Sequence, residues 1–135
     1  MREEDDTYFA FSASLRIFGD IPNLEEITSL LGVEPTYRHQ KGYRRSPRSQ
    51  PMPHDMWIFE VPVEEDRELS DHLDALWAVV KPKLNELKKL KDSYTVDIFC
   101  GYRSNSGTAG FEVRHQSLEI FRALEAPLNV SVIIT

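Results

Sequence analysis

Thr7-Tyr8-Phe9-Ala10-Phe11-Ser12-Ala13-Ser14-Leu15-Arg16-Ile17-Phe18 alternates residue by residue. Phe9, Phe11, Ala13, Leu15 and Ile17 fall on one side, and Tyr8, Ala10, Ser12, Ser14, Arg16 and Phe18 on the other, the period of a strand with one face in a core. Two later stretches repeat the pattern. Met56 to Val63 sets Trp57, Phe59 and Val61 against Met56, Ile58 and Glu60, and Tyr94 to Tyr102 sets Tyr94, Val96, Ile98, Cys100 and Tyr102 against Thr95, Asp97, Phe99 and Gly101. Strands that alternate instead of being apolar throughout have one solvated face, so helices must cover the other.

The helices are legible between them. Leu69, Leu73, Leu76, Val80, Leu84 and Leu87 form a stripe at helical spacing, with Glu64, Glu65 and Asp66 before it and Lys83, Lys88, Lys89 and Lys91 at its end, a gradient that opposes the helix dipole. Pro82 lies inside the stripe; without an amide hydrogen it predicts a kink or two helices joined end to end. A shorter helix starts at Asn23, with Glu26 completing a capping-box pattern, carries Ile27, Leu30 and Leu31, and stops at Gly32. Val33 to Thr36 predicts a short extended piece. Arg103 to Gly110, rich in Gly and hydroxyl residues, leads into Phe111-Glu112-Val113 as a hairpin. Leu118, Phe121 and Leu124 stripe a last helix ended by Pro127, and Leu128 to Ile134 closes as a strand. The predicted order is β-α-β-α-β-β-α-β. It describes an α+β fold, a mainly antiparallel or mixed sheet of about five strands with helices on one face.

With 135 residues, 41% apolar and 28% charged, the chain has the size and composition of one domain with one core. We place that domain at residues 7–135, behind a flexible acidic leader at 1–6. The single Cys100 cannot form an internal disulfide and fits a reducing compartment. Met1-Arg2-Glu3-Glu4-Asp5-Asp6 has no apolar stretch and is not a secretory or transit sequence, and no apolar run approaches the roughly 20 residues that span a bilayer. A cytoplasmic protein without membrane contact is the expectation.

Charge is distributed unevenly. No carboxylate occurs between Glu34 and Asp55, yet Arg38, Lys41, Arg44, Arg45 and Arg48 do, with His39, His54, Tyr37 and Tyr43 among them. Setting those five cations aside leaves 11 Lys plus Arg against 22 Asp plus Glu, a segment of about +5 beside a body of about −11. With Pro47, Pro51 and Pro53 it lacks a sustained period and reads as a long loop over 37–54. Its arginines supply planar forks for carboxylate or phosphate, and its tyrosines stacking surfaces. Either it docks on acidic segments such as Glu64-Glu65-Asp66, or it is offered to an anionic partner. A second candidate is the polar sheet face of Ser14, Arg16 and Asp97, where Arg16 and Asp97 could pair across the ladder.

Catalysis has little support in the sequence. Cys100 shares parity with core residues, no serine sits in a G-x-S-x-G elbow, and the four histidines show no metal-ligand spacing. No catalytic residue, metal or cofactor is assigned. His72 reads as a surface or boundary residue, Trp57 and Trp77 as core anchors.

Ala13-Ser14-Leu15-Arg16-Ile17-Phe18-Gly19-Asp20, Ile27 to Leu31-Gly32-Val33-Glu34-Pro35-Thr36, and Lys41-Gly42 resemble the opening of the bacterial domain of unknown function 4279 family. Asp97-Ile98-Phe99-Cys100-Gly101-Tyr102, Ser106-Gly107, Gly110-Phe111-Glu112 and the last helix and strand extend the resemblance over nearly the whole chain. It implies a small bacterial, cytosolic, single-domain protein and supplies no functional residue.

Three readings follow. The first is a non-enzymatic interaction domain whose basic loop engages an acidic protein or small anion, compatible with an immunity-type role. The second is an enzyme on a phosphorylated or carboxylated small molecule, with Arg16, Lys41 and Arg44 holding the anion and Asp97 or His39 as acid-base groups. The third, single-stranded nucleic-acid binding through Tyr37, Tyr43 and the arginines, is disfavoured by the net charge of −6. An uncovered sheet edge could also support a homodimer.

Overall fold

Phe9 to Gly19 forms the central strand, β1, of a five-stranded sheet in the computed structural model, which describes residues 8–135. The acidic leader expected at 1–6 lies outside the described residues. The other strands are β2 (Tyr37–His39), β3 (Asp55–Glu60), β4 (Thr95–Ser104) and β5 (Leu128–Ile134), in the order β2-β3-β1-β4-β5. All neighbours are antiparallel except β4 and β5, which run parallel, so the sheet is mixed and the fold α+β. The alternation in β1 decides its orientation: Ala13, Leu15 and Ile17 are buried under helices and Phe11 beneath Phe111 of the segment that follows β4, with Trp57 of β3 and Val96, Ile98, Cys100 and Tyr102 of β4 on the same face.

Four helices cover that face: α1 (Leu24–Leu31), α2 (Leu69–Val80), α3 (Leu84–Leu90) and α4 (Glu119–Leu124). Asn23 caps α1 by accepting from the Glu25 amide at 3.1 Å, and Gly32 closes it with φ +73, a left-handed conformation that costs glycine nothing. The Trp57 indole donates to Thr28 Oγ1 at 3.0 Å, which satisfies the one polar atom of a fully buried ring and ties α1 to β3. Pro82 divides the long helix as its missing amide requires: Lys81–Lys83 form a 3-10 turn between α2 and α3. The carboxylates Glu64, Glu65 and Asp66 are not part of α2, which starts after Glu68. They belong to a strap that borders β1 beyond the end of β3, with the Val61 amide donating to Ala13 and the Phe11 amide to Glu65.

Two parts of the predicted strand order are corrected. Phe111-Glu112-Val113 is not a strand, because both sides of β1 are already occupied and β4 pairs instead with β5. The Arg114 amide donates to buried Ser70, and its guanidinium reaches Asp71, Asp74 and Glu68, pinning this segment to α2. The fifth strand is β2, within the segment read as a loop, while 33–36 is not extended into the sheet. The edges of the sheet are β2 and β5, and β5 leaves Val132, Ile133 and Ile134 about half exposed.

Candidate functional site

The basic segment is an ordered hairpin. After Tyr37–His39 pairs with β3, the Gly42 amide donates to the Met52 carbonyl and the Met52 amide to the Tyr43 carbonyl, both at 2.8 Å. At the tip the Ser49 amide donates to the Ser46 carbonyl and Arg44 Nη1 to the Ser49 carbonyl. Asp55 fixes the neck: its carboxylate accepts from the Lys41 amide at 2.7 Å and the Ile21 amide at 2.8 Å, donors that hold its pKa below the ordinary value. The long loop expected over 37–54 is therefore a β-arm at the sheet edge.

Among the described residues most of its charge is left unpaired. Arg38 faces α1 and pairs with Glu25 at 2.9 Å, but both side chains are more than half exposed, and such a pair contributes little. Lys41, Arg44, Arg45 and Arg48 are exposed and, among the described residues, form no ion pair. Docking on Glu64-Glu65-Asp66 is excluded by position. The arm leaves at the Gly19 end of β1, opposite Asp55, whereas the acidic strap meets β1 at Phe11; eight residues of strand separate them by about 26 Å. At the base of the arm Tyr37 donates to or accepts from His39 Nδ1 at 2.8 Å, and the His39 ring stacks on Tyr43 with centroids 6.1 Å apart.

On the face without helices, Arg16 and Asp97 are opposite neighbours on β1 and β4. Arg16 Nε and Nη2 donate to Asp97 Oδ1 and Oδ2 at 2.8 and 2.7 Å, and Asn129 Nδ2 adds a longer bond at 3.4 Å. The guanidinium carbon sits 4.4 Å from the Phe99 ring centroid and 5.6 Å from that of Phe18, a cation-π arrangement. Ser14 is buried beside it. The expected pair exists, and both charges are consumed by it. Arg16 is not gathered with Lys41 and Arg44, which lie on the arm. Beyond Arg16 the open face forms a trough of about 510 Å³ over Ser12, Gly101 and Ser131, bordered by Glu60, Glu65 and Arg103. Gly101 keeps it open, since a β-carbon there would stand 2.7 Å from Ser12 Oγ.

A second concavity, about 400 Å³, lies where the helix layer stops, lined by Phe9, Phe11, Tyr102, Phe111, Glu68 and Glu112 among others. Sequence reasoning did not find it, because it joins residues from β1, β4 and the segment misread as a strand.

With these surfaces described, comparison with known proteins gives one match: the family described as a domain of unknown function (DUF4279), over residues 7–134. The chain belongs to this DUF4279 family. No curated protein and no solved structure matches. Membership agrees with the resemblance read from the sequence and leaves the functional argument to the geometry.

Two buried groups need separate mention in this DUF4279 domain. Cys100 is in the core, and burial pushes its thiol pKa up to about 12, so it is a thiol with almost no thiolate at neutral pH. His72, expected at the surface or a boundary, is instead 1% exposed on α2. It lies between Leu69 and Leu76 on the inward stripe, where its ring faces the backbone of Glu64 and Arg67 without a hydrogen bond of ordinary geometry among the described residues. Among those residues, no group of three metal-ligating side chains converges and no helix is long and apolar enough to cross a membrane.

Proposed function

We propose that the protein is a non-enzymatic interaction domain whose β-arm engages an acidic protein partner, and that it works in the bacterial cytoplasm. One observation carries this reading: Lys41, Arg44, Arg45 and Arg48 stand exposed and without ion pairs among the described residues, on an ordered arm about 26 Å from the acidic strap. An ordered arm pays less entropy on binding than a floppy loop. Arginine forks suit paired carboxylates, whereas a nucleic acid, with a charge every ~1.7 Å, would continue along a body of the same sign. An immunity-type role, blocking a toxin by covering its surface, is the kind of task such an arm would serve. Self-association is a separate proposal, and the uncharged, uncovered β5 edge is where it would form.

The test is binding of a glutamate-rich peptide by calorimetry, at low and high salt, to the wild type and to R44A/R45A/R48A. Three exposed contacts of about 0.5–1 kcal/mol each predict a loss of roughly 10- to 100-fold. Equal affinity in the variant would remove the arm from the reading; tighter binding of an oligothymidylate than of the peptide would replace it with the nucleic-acid alternative.

A further inference from the structure

We infer that the aromatic cleft at the far end of the sheet is a binding site for a small organic cation, an ammonium with apolar substituents. This site is independent of the arm. α2 starts at Leu69, so it does not cover the inner face of the sheet where β1 begins and β4 ends. Phe9, Phe11 and Tyr102 are left there, and residues 105–114 bring Phe111 over them instead of a helix.

The rings form a continuous aromatic wall. Phe11 and Tyr102 stack with centroids 4.8 Å apart, and Phe111 meets both edge-on at 5.7 and 5.2 Å. Phe9 meets Phe11 at 5.7 Å from another side. Phe11 and Tyr102 are buried floor, whereas Phe9 and Phe111 remain 42% and 41% exposed and offer ring surface to an occupant.

Charge selects the occupant. The ionisable residues of the wall, apart from the Tyr102 hydroxyl, are Glu68 and Glu112. Glu112 has no ion pair among the described residues. The nearby cations are already engaged: Arg67 pairs with Asp71, and Arg114 turns its guanidinium to Asp71 and Asp74 and reaches Glu68 at 3.4 Å. Glu68 and Asp71 also lie at the positive end of α2. A neighbouring recess shares Phe9 and adds Tyr8, Glu64, Glu65 and Asp66. Aromatic faces framed by carboxylates attract a desolvated ammonium through the ring quadrupole and the field, and repel anions. A cleft of about 400 Å³ is of small-molecule size, and its mouth is concave, which favours a free ligand over a flat protein surface.

The probes are choline and its neutral isostere 3,3-dimethylbutanol, titrated into the protein with aromatic NMR shifts as the readout. Choline is expected to shift Phe9, Phe111 and Tyr102 with a Kd of about 1–10 mM, and the isostere to bind roughly 10-fold more weakly. F111L keeps the apolar bulk and E112Q the shape; each is expected to weaken choline about 3- to 10-fold while leaving the spectrum folded. Equal binding of the isostere, unchanged affinity in both variants, or no shift at about 50 mM choline overturns the assignment. Much tighter binding of a trimethyllysine peptide than of choline overturns the small-molecule occupant.

Discussion

Replacing Asp97 with alanine leaves Arg16 charged and without its partner on a half-covered surface. The pair is bidentate at 2.8 and 2.7 Å, and the side chains are 24% and 9% exposed. Removing one partner of a fully buried pair costs about 3–5 kcal/mol, and an exposed pair contributes less than about 1 kcal/mol. A guanidinium with a quarter of its surface in water falls between these limits, at about 2 kcal/mol. In a chain of 135 residues that lowers Tm by roughly 6–8 °C. Thermal and urea unfolding of the wild type, D97A, R16M and R16M/D97A would measure it. R16M keeps a stem over Phe99 while removing the charge, so the double variant should be more stable than D97A, with a coupling energy of at least about 1 kcal/mol. Additive costs, or a D97A variant within about 0.5 kcal/mol of the wild type, would refute the structural assignment and release both groups for ligand binding.

Burial lowers the His72 pKa from its ordinary 6.5, so the unfolded chain takes the proton first and stability should fall as pH drops below about 6.5; H72L should remove that slope. A parallel slope in H72L would show that other groups carry the acid sensitivity. Asp55 has the opposite chemistry and the same sign: its depressed pKa gives stability that is present above about 3.8 and is lost as pH falls through the lower folded value. D55N should accelerate exchange of the Lys41 and Ile21 amides about 10-fold, with unchanged exchange counting against the neck. Native Cys100 should resist a thiol reagent at pH 8 and react fully in denaturant, since its pKa is about 12; rapid native labelling would place it outside the core.

The strand faces were readable because their period is local. Phe11, Ala13, Leu15 and Ile17 declare an inner face without reference to any partner. Pro82 declared its break for the same reason, since the missing amide acts within its own turn. Tyr37–His39 is too short to show a period, and its identity as a strand comes from β3 beside it. Phe111-Glu112-Val113 has strand-like composition, but a hairpin partner needs the second edge of β4, and β5 occupies it. The polarity of His72 points to a surface or boundary position, whereas its place on the Leu69, Leu73 and Leu76 stripe puts it inside. Among the site candidates, the pairing of Arg16 with Asp97 was legible from matching parity on two strands. The order within the basic segment was not, because it rests on Asp55 and Met52 reaching across more than eight residues. The aromatic cleft needed residues 9, 102 and 111 in one place, which no single window of sequence contains.

The cationic arm and the acidic strap sit at opposite ends of β1, about 26 Å apart. Physiological salt damps a field over ~8 Å, so each end lies some three screening lengths from the other. The formal charge of −6 is thus a sum that no approaching molecule senses. On the two proposed readings a visitor at either pole would respond chiefly to that pole, and one molecule could hold an anionic guest and a cationic guest together with little influence between them through space.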